Sequence, residues 1–197
     1  MITLGLTGSI GMGKSTTLRL FEEAGAAVWD ADAAVHRLYE AGGEGARAVA
    51  ALFGQAVLNE AGAVNRAALG PIVLGDEAAM TRLEAAIHPL VAEDRRRFLS
   101  NVEARGAKIA VVDVPLLLET GGDAAVDIVV LVTADETVRR ERVLERPGMT
   151  PGKLDAILSR QMPEAERVAR ADHVIRTDQG VDAARAAVGR ILESLTA

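Results

Sequence analysis

The chain has no cysteine in its 197 residues, which removes disulfides, thiolate catalysis and thiolate metal sites together. Aromatic residues are scarce: one Trp, one Tyr and three Phe. The core must therefore be built from Ala, Val, Leu and Ile, and no stacking platform for single-stranded nucleic acid is on offer. Basic residues do not dominate either. With 22 Lys and Arg against 28 Asp and Glu the formal charge is −6, the wrong sign for a polyanion partner. Long apolar runs are missing as well, and stretches such as IVVLV at 128–132 are far too short to span a bilayer. The first residues carry no basic segment, and glycines at 5, 8, 11 and 13 interrupt any apolar run, so no secretory signal is expected. Together these absences predict a cytoplasmic protein whose partners are neither nucleic acid nor membrane. They leave the oligomeric state open.

What the chain does have is 49% apolar residues, enough for one sizeable core. Short apolar runs alternate with helical patterns, the mark of βαβ units around a parallel sheet. Strands are predicted at Ile2–Leu6, Ala27–Trp29, Lys108–Val112, Asp127–Val132 and His173–Ile175. Helices are predicted at Lys14–Glu23 and Ala33–Glu40, then over 44–53, 66–73, 76–104, 135–146, 151–161 and 181–195. Thr133 followed by Glu136 reads as a capping box, and Pro147 closes the helix it opens. Between Asp32 and Lys108 about 75 residues lack a convincing strand, too many for an ordinary crossover. A helical insertion on the substrate side of the sheet is expected there, and a shorter excursion between Glu136 and Arg170.

Gly8-Ser9-Ile10-Gly11-Met12-Gly13-Lys14-Ser15 matches the phosphate-binding pattern G-x-x-x-x-G-K-[ST] in full, with a strand pattern before it and a helical one after. Glycines permit the tight backbone path, and successive N–H groups then form an anion cradle at the positive end of a helix. Residues 8–16, through Thr16, are the expected ATP site, with Lys14 on the β- and γ-phosphates and the Ser15 hydroxyl on Mg²⁺. The chain contains neither an Asn-Lys-x-Asp guanine reader nor a Leu-Ser-Gly-Gly-Gln transporter signature. The class that remains is a small-molecule kinase: an α/β P-loop NTPase fold, a five-stranded parallel sheet flanked by helices, with a helical substrate lobe and a lid. The corresponding divisions are a core of 1–32, 106–135 and 171–197, a lobe of 33–105 and a lid of 136–170.

Asp30 and Asp32 stand at the end of the second strand, where a carboxylate could orient an acceptor hydroxyl and take its proton. In an extended segment the two would share a face. The alternative is that Asp32 caps a helix starting at Ala33, and the residues alone do not decide.

The Asp-Ala-Asp at this distance from the P-loop resembles the dephospho-coenzyme A kinase family. So do Ile87-His88-Pro89-Leu90-Val91, Val112-Asp113-Val114-Pro115-Leu116-Leu117-Leu118-Glu119, and Glu145-Arg146-Pro147-Gly148-Met149-Thr150. Leu118 stands where relatives usually carry Phe, and Pro147 where they carry Asp. The resemblance implies transfer of the ATP γ-phosphoryl group to the ribose 3′-hydroxyl of dephospho-CoA, with Mg²⁺. It implies Asp32 as general base, with Asp30 positioning or capping. It places Asp113 on Mg²⁺ through water or beside Ser15, Pro115 and Leu116 along the substrate crevice, and His88 in the substrate lobe. Glu119 receives no role. Arg139, Arg142 and Arg146 recur at i, i+3 and i+7, hence on one helical face. The resemblance favours Arg142 at the transferring phosphoryl group and Arg146 at the substrate. His36 and His173 read as structural, and no His/Asp/Glu cluster has zinc spacing. Val174–Gly180 is where the family closes over the adenine, although the Asn common there is absent. Ile157 replaces a lid arginine for which Arg160 or Arg167 could compensate. Other readings are a nucleoside monophosphate or shikimate-type kinase, or a P-loop regulatory protein without turnover.

Overall fold

A computed structural model describes residues 1–159 and 161–196, so Arg160 lies outside the described residues. The chain divides into two compact units, Met1–Trp29 with Val102–Ala197, and Asp30–Asn101. Each is described by itself.

The first unit is built on five parallel strands: β1 (Ile2–Thr7), β2 (Ala27–Asp30), β3 (Ile109–Asp113), β4 (Ile128–Thr133) and β5 (His173–Arg176). Their order is β2-β3-β1-β4-β5. β1 lies in register with β3, Leu4 opposite Val111, and with β4, Leu6 opposite Val130. The chain passes to one side of β1 for β2 and β3 and to the other for β4 and β5. That reversal leaves a crevice beyond the carboxyl end of β1, where open α/β sheets bind ligands. All five residues of β3 are buried, which explains its unbroken apolar run. Helix α1 (Lys14–Glu23) buries Leu18, Leu20 and Phe21 against this sheet.

The second unit is helical: α2 (Ala31–Leu38), α3 (Glu44–Phe53), α4 (Arg66–Leu74) and α5 (Glu77–Ala104), whose last turn belongs to the first unit. Val49, Val57, Leu69, Val73 and Ile87 form its separate core. Asn65 caps α4, its side chain accepting from the N–H groups of Ala67 and Ala68. Its one β-type pairing among the described residues is an isolated bridge between Leu58 and Val64.

The remaining helices are α6 (Glu136–Leu144), α7 (Pro151–Leu158), α8 (Glu164–Arg170) and α9 (Val181–Thr196). Three local expectations fail. Asp135, not Thr133, caps α6, accepting from the Thr137 N–H. Thr133 is still in β4, and its hydroxyl donates to Glu164 at 2.5 Å. α7 stops at Leu158, and α8, which the sequence pattern did not predict, follows. No helix of the described residues is long and apolar enough to cross a membrane.

Candidate active site

The P-loop joins β1 to α1. Gly13 adopts φ 85° as the residue preceding α1, a left-handed conformation costly for any residue with a Cβ. At Gly11 a Cβ would lie 2.5 Å from the Val143 side chain. The backbone can therefore follow this path only without side chains at both positions. The first N–H groups of α1 have no partner within the helix and sit at the positive end of its macrodipole, an arrangement that favours an anion. Around it, Gly8 and Ile10 continue the loop, Ser15 and Thr16 open the helix, and Met12 is buried.

Lys14 and Asp113 meet at the centre. Asp113 is the last residue of β3, opposite Leu6 of β1, and is 4% exposed. Lys14 Nζ donates to Asp113 Oδ1 at 2.5 Å and to Oδ2 at 2.7 Å. Two charges withdrawn from water require this kind of pairing. Asp113 is therefore more than a cap for the turn before Pro115. Among the described residues no group of three or more Asp, Glu or His could hold a metal. The hard oxygens at the loop are the exposed Ser15 hydroxyl and the Asp113 carboxylate.

The arginines do not share one face in use. Arg142 Nη1 donates to the Thr177 hydroxyl at 2.9 Å and Nη2 to its carbonyl at 2.8 Å. The Thr177 hydroxyl donates to the Met12 carbonyl at 2.8 Å. Arg142 and Arg146 line a cavity of about 260 Å³ with Gly13, Thr16, Thr177 and Gly180. Arg139 is turned elsewhere. It is buried beside Glu136 and lines a different cavity with Met12, Gln161 and Arg167. Arg140 binds Asp155 of α7 at 2.9 Å. Arg167 is 4% exposed and pairs with Glu164 at 2.7 Å.

Two residues to which the sequence assigned no role, Gln161 and Glu119, also hold this unit together. Gln161, in the turn before α8, accepts a hydrogen bond from the Ser9 hydroxyl of the P-loop. Glu119 accepts from the Met162 N–H at 3.2 Å, so it anchors the segment after β3 to the same turn. In that segment Pro115 and Leu116 are exposed, and Leu116 has φ 56°, the one positive value outside glycine among the described residues. Such a conformation costs about 1–3 kcal/mol and is found mainly where function demands it.

The helical unit carries the other carboxylates. Asp30 Oδ1 accepts from the Ala33 N–H at 2.9 Å and so is the cap of α2. Because the helix starts at Ala31, Asp32 lies in its first turn. It neither caps the helix nor shares an extended face with Asp30. Released from that task, it is exposed and lines a cavity of about 460 Å³ with Val35, His36, Tyr39, Arg66 and Leu69. Arg66 stands over the Tyr39 ring, 5.5 Å from its centroid. Burial pushes the Tyr39 hydroxyl pKa up, partly opposed by that guanidinium. His36 thus faces a cavity rather than the core, His88 is exposed on α5 away from it, and His173 begins β5.

The sequence profile described as CoaE, dephospho-CoA kinase, matches residues 2–183. The dephospho-CoA kinase of Rhodopseudomonas palustris (strain BisB18) is 56% identical over 192 residues, covering 98% of this chain and 94% of the relative. That of Mesorhizobium japonicum is 55% identical over 195 residues, covering 99% and 97%. Among solved structures, TT1252 from Thermus thermophilus is 32% identical with a TM-score of 0.75, covering 100% of this chain and 98% of that one.

Proposed function

The chain belongs to the dephospho-CoA kinase family, and from that premise we propose that it transfers the γ-phosphoryl group of ATP to the ribose 3′-hydroxyl of dephospho-CoA, giving coenzyme A and ADP. The observation that carries this reading is the pairing of Lys14 with buried Asp113 at a complete phosphate loop, in a chain whose second unit carries an exposed, uncommitted carboxylate at its own cavity.

In this reading the loop amides of residues 8–16 take the β- and γ-phosphates, and Lys14 exchanges Asp113 for phosphate oxygens. Mg²⁺, when bound with ATP, neutralises phosphate charge; the Ser15 hydroxyl would hold it, with Asp113 acting through water. The 3′-oxygen forms a bond to the γ-phosphorus as the bond to the bridging oxygen breaks. ADP departs, and the hydroxyl proton passes to Asp32. Such a transfer is mostly positioning and charge neutralisation.

Residues 30–101 would hold the acceptor, 136–170 would act as the lid, and Pro115, Leu116 and His88 would contact substrate. Arg142 and Arg146 line the cavity beside Gly13 and Thr16, which suits the nucleoside side of ATP. Arg142 then supports catalysis by fixing that end of the nucleotide. Cytoplasmic location and the absence of nucleic-acid or membrane partners fit the acidic charge of −6.

The test is ADP release from Mg·ATP with dephospho-CoA, AMP and shikimate as separate acceptors, with products weighed by mass spectrometry. Gain of one phosphate on dephospho-CoA alone is expected. Turnover only with another acceptor would overturn the substrate assignment and leave a P-loop kinase.

A further inference from the structure

We infer that Arg66, held by the ring of Tyr39, binds the pyrophosphate of the acceptor and thereby selects dephospho-CoA over alcohols that lack one. The inference rests on the reading of Asp32 as the base at the helical unit's cavity.

Arg66 is an exposed cation with no carboxylate attached. Among the described residues no ion pair is found for it, nor for Arg82, which stands over Phe53; what distinguishes Arg66 is that it lines the cavity that Asp32 also lines. Its guanidinium is not loose, because it stands over the Tyr39 ring, which orients its planar fork. It is also the first residue of α4, where the macrodipole opposes a positive side chain and favours an anion. A free arginine there is poorly explained by the stability of α4, whose cap is already made by Asn65. It is well explained by an anionic ligand.

The same cavity supplies the remaining features. Asp32 and Arg66 both line it without pairing, so a group can lie between them that offers a hydroxyl to one and negative charge to the other. The acceptor has that layout, with a 3′-hydroxyl and a 5′-pyrophosphate on opposite sides of one ribose. Val35, Leu69 and Val73 give the cavity an apolar wall against which the attached base can pack. A guanidinium fork matches phosphate oxygens two at a time.

The test compares the wild type with Arg66→Met, Arg66→Lys and Tyr39→Leu. KM is measured for dephospho-CoA and for ATP, and adenosine, which lacks the pyrophosphate, is measured as an inhibitor competing with dephospho-CoA. Arg66→Met should raise the KM for dephospho-CoA by about 10–100-fold, the scale of one hydrogen-bonded charge. The KM for ATP and the inhibition constant of adenosine should hold. Arg66→Lys should recover part of the loss, since charge returns without the fork, and Tyr39→Leu should show a smaller rise of the same selectivity. Equal loss for dephospho-CoA and adenosine would make Arg66 a structural residue and overturn the inference, as would an unchanged KM. A wild type that does not phosphorylate dephospho-CoA overturns the proposed function and this inference with it. Turnover with an insensitive Arg66 overturns the inference alone.

Discussion

Asp113→Asn keeps the side chain's size and removes its charge. Lys14, with 18% of its side chain exposed, is then left without the carboxylate that receives it at 2.5 and 2.7 Å. Removing one member of a buried pair costs about 3–5 kcal/mol, and the residual hydration of Lys14 puts the figure at the low end, about 3 kcal/mol. A chain of this size shifts its Tm by about 2–4 °C per kcal/mol, so the nucleotide-free variant should melt about 6–12 °C below the wild type. Nucleotide changes the comparison. If phosphate oxygens take over Lys14, saturating ADP in EDTA, which keeps the metal role of Asp113 out of the comparison, should remove more than half of the deficit, because the lost carboxylate is no longer its partner. Differential scanning fluorimetry of both proteins, with and without ADP, reads both quantities. A nucleotide-free Tm within about 2 °C of wild type would refute the cost assigned to the pair. A deficit unchanged by ADP would refute the exchange of partners.

Other outcomes are expected as follows. Asp32→Asn should lower kcat by about 10²–10⁴-fold, the range for loss of a general base, with ATP affinity held in a filter-binding or calorimetric measurement. Arg142→Met should release the Thr177 loop and raise the KM for ATP by about tenfold, one charge-assisted contact's worth, while the KM for dephospho-CoA holds in steady-state kinetics. Phe21→Ala removes a fully buried ring from the sheet's core and should cost about 3–5 kcal/mol in chemical denaturation.

The phosphate loop was readable because eight consecutive residues carry it and each has a fixed local task. The strands were readable because burial on both faces leaves unbroken apolar runs, as in residues 109–112. Alternating charges were less informative. Arg139, Arg142 and Arg146 have helical spacing, but spacing does not say that the P-loop and the turn before α8 would partition them between two cavities. The helix starts moved for local reasons: Asp30, the last residue of β2, caps α2 itself, whereas the Thr133 hydroxyl at the end of β4 is taken by Glu164 and the cap of α6 falls to Asp135. Gln161 was invisible as a partner of the P-loop, and Thr177 was legible only as part of the 174–180 segment, since each meets its partner from a distant part of the chain. α8 is only seven residues long, too short for a periodic pattern to stand out.

The Thr177 hydroxyl has a consequence for how nucleotide is received. A peptide unit is planar and trans, so its C=O and the following N–H point in opposite directions. By drawing the Met12 carbonyl toward itself at 2.8 Å, Thr177 turns the Gly13 N–H the other way, off the face of the loop that Thr177 occupies. One donor of the cradle is thus oriented by a residue beyond β5 before any phosphate arrives. Fixing a residue's backbone costs about 1–2 kcal/mol, and here that ordering is complete at folding rather than charged to binding. Affinity for the triphosphate is in this sense set partly by a side chain that need never touch it.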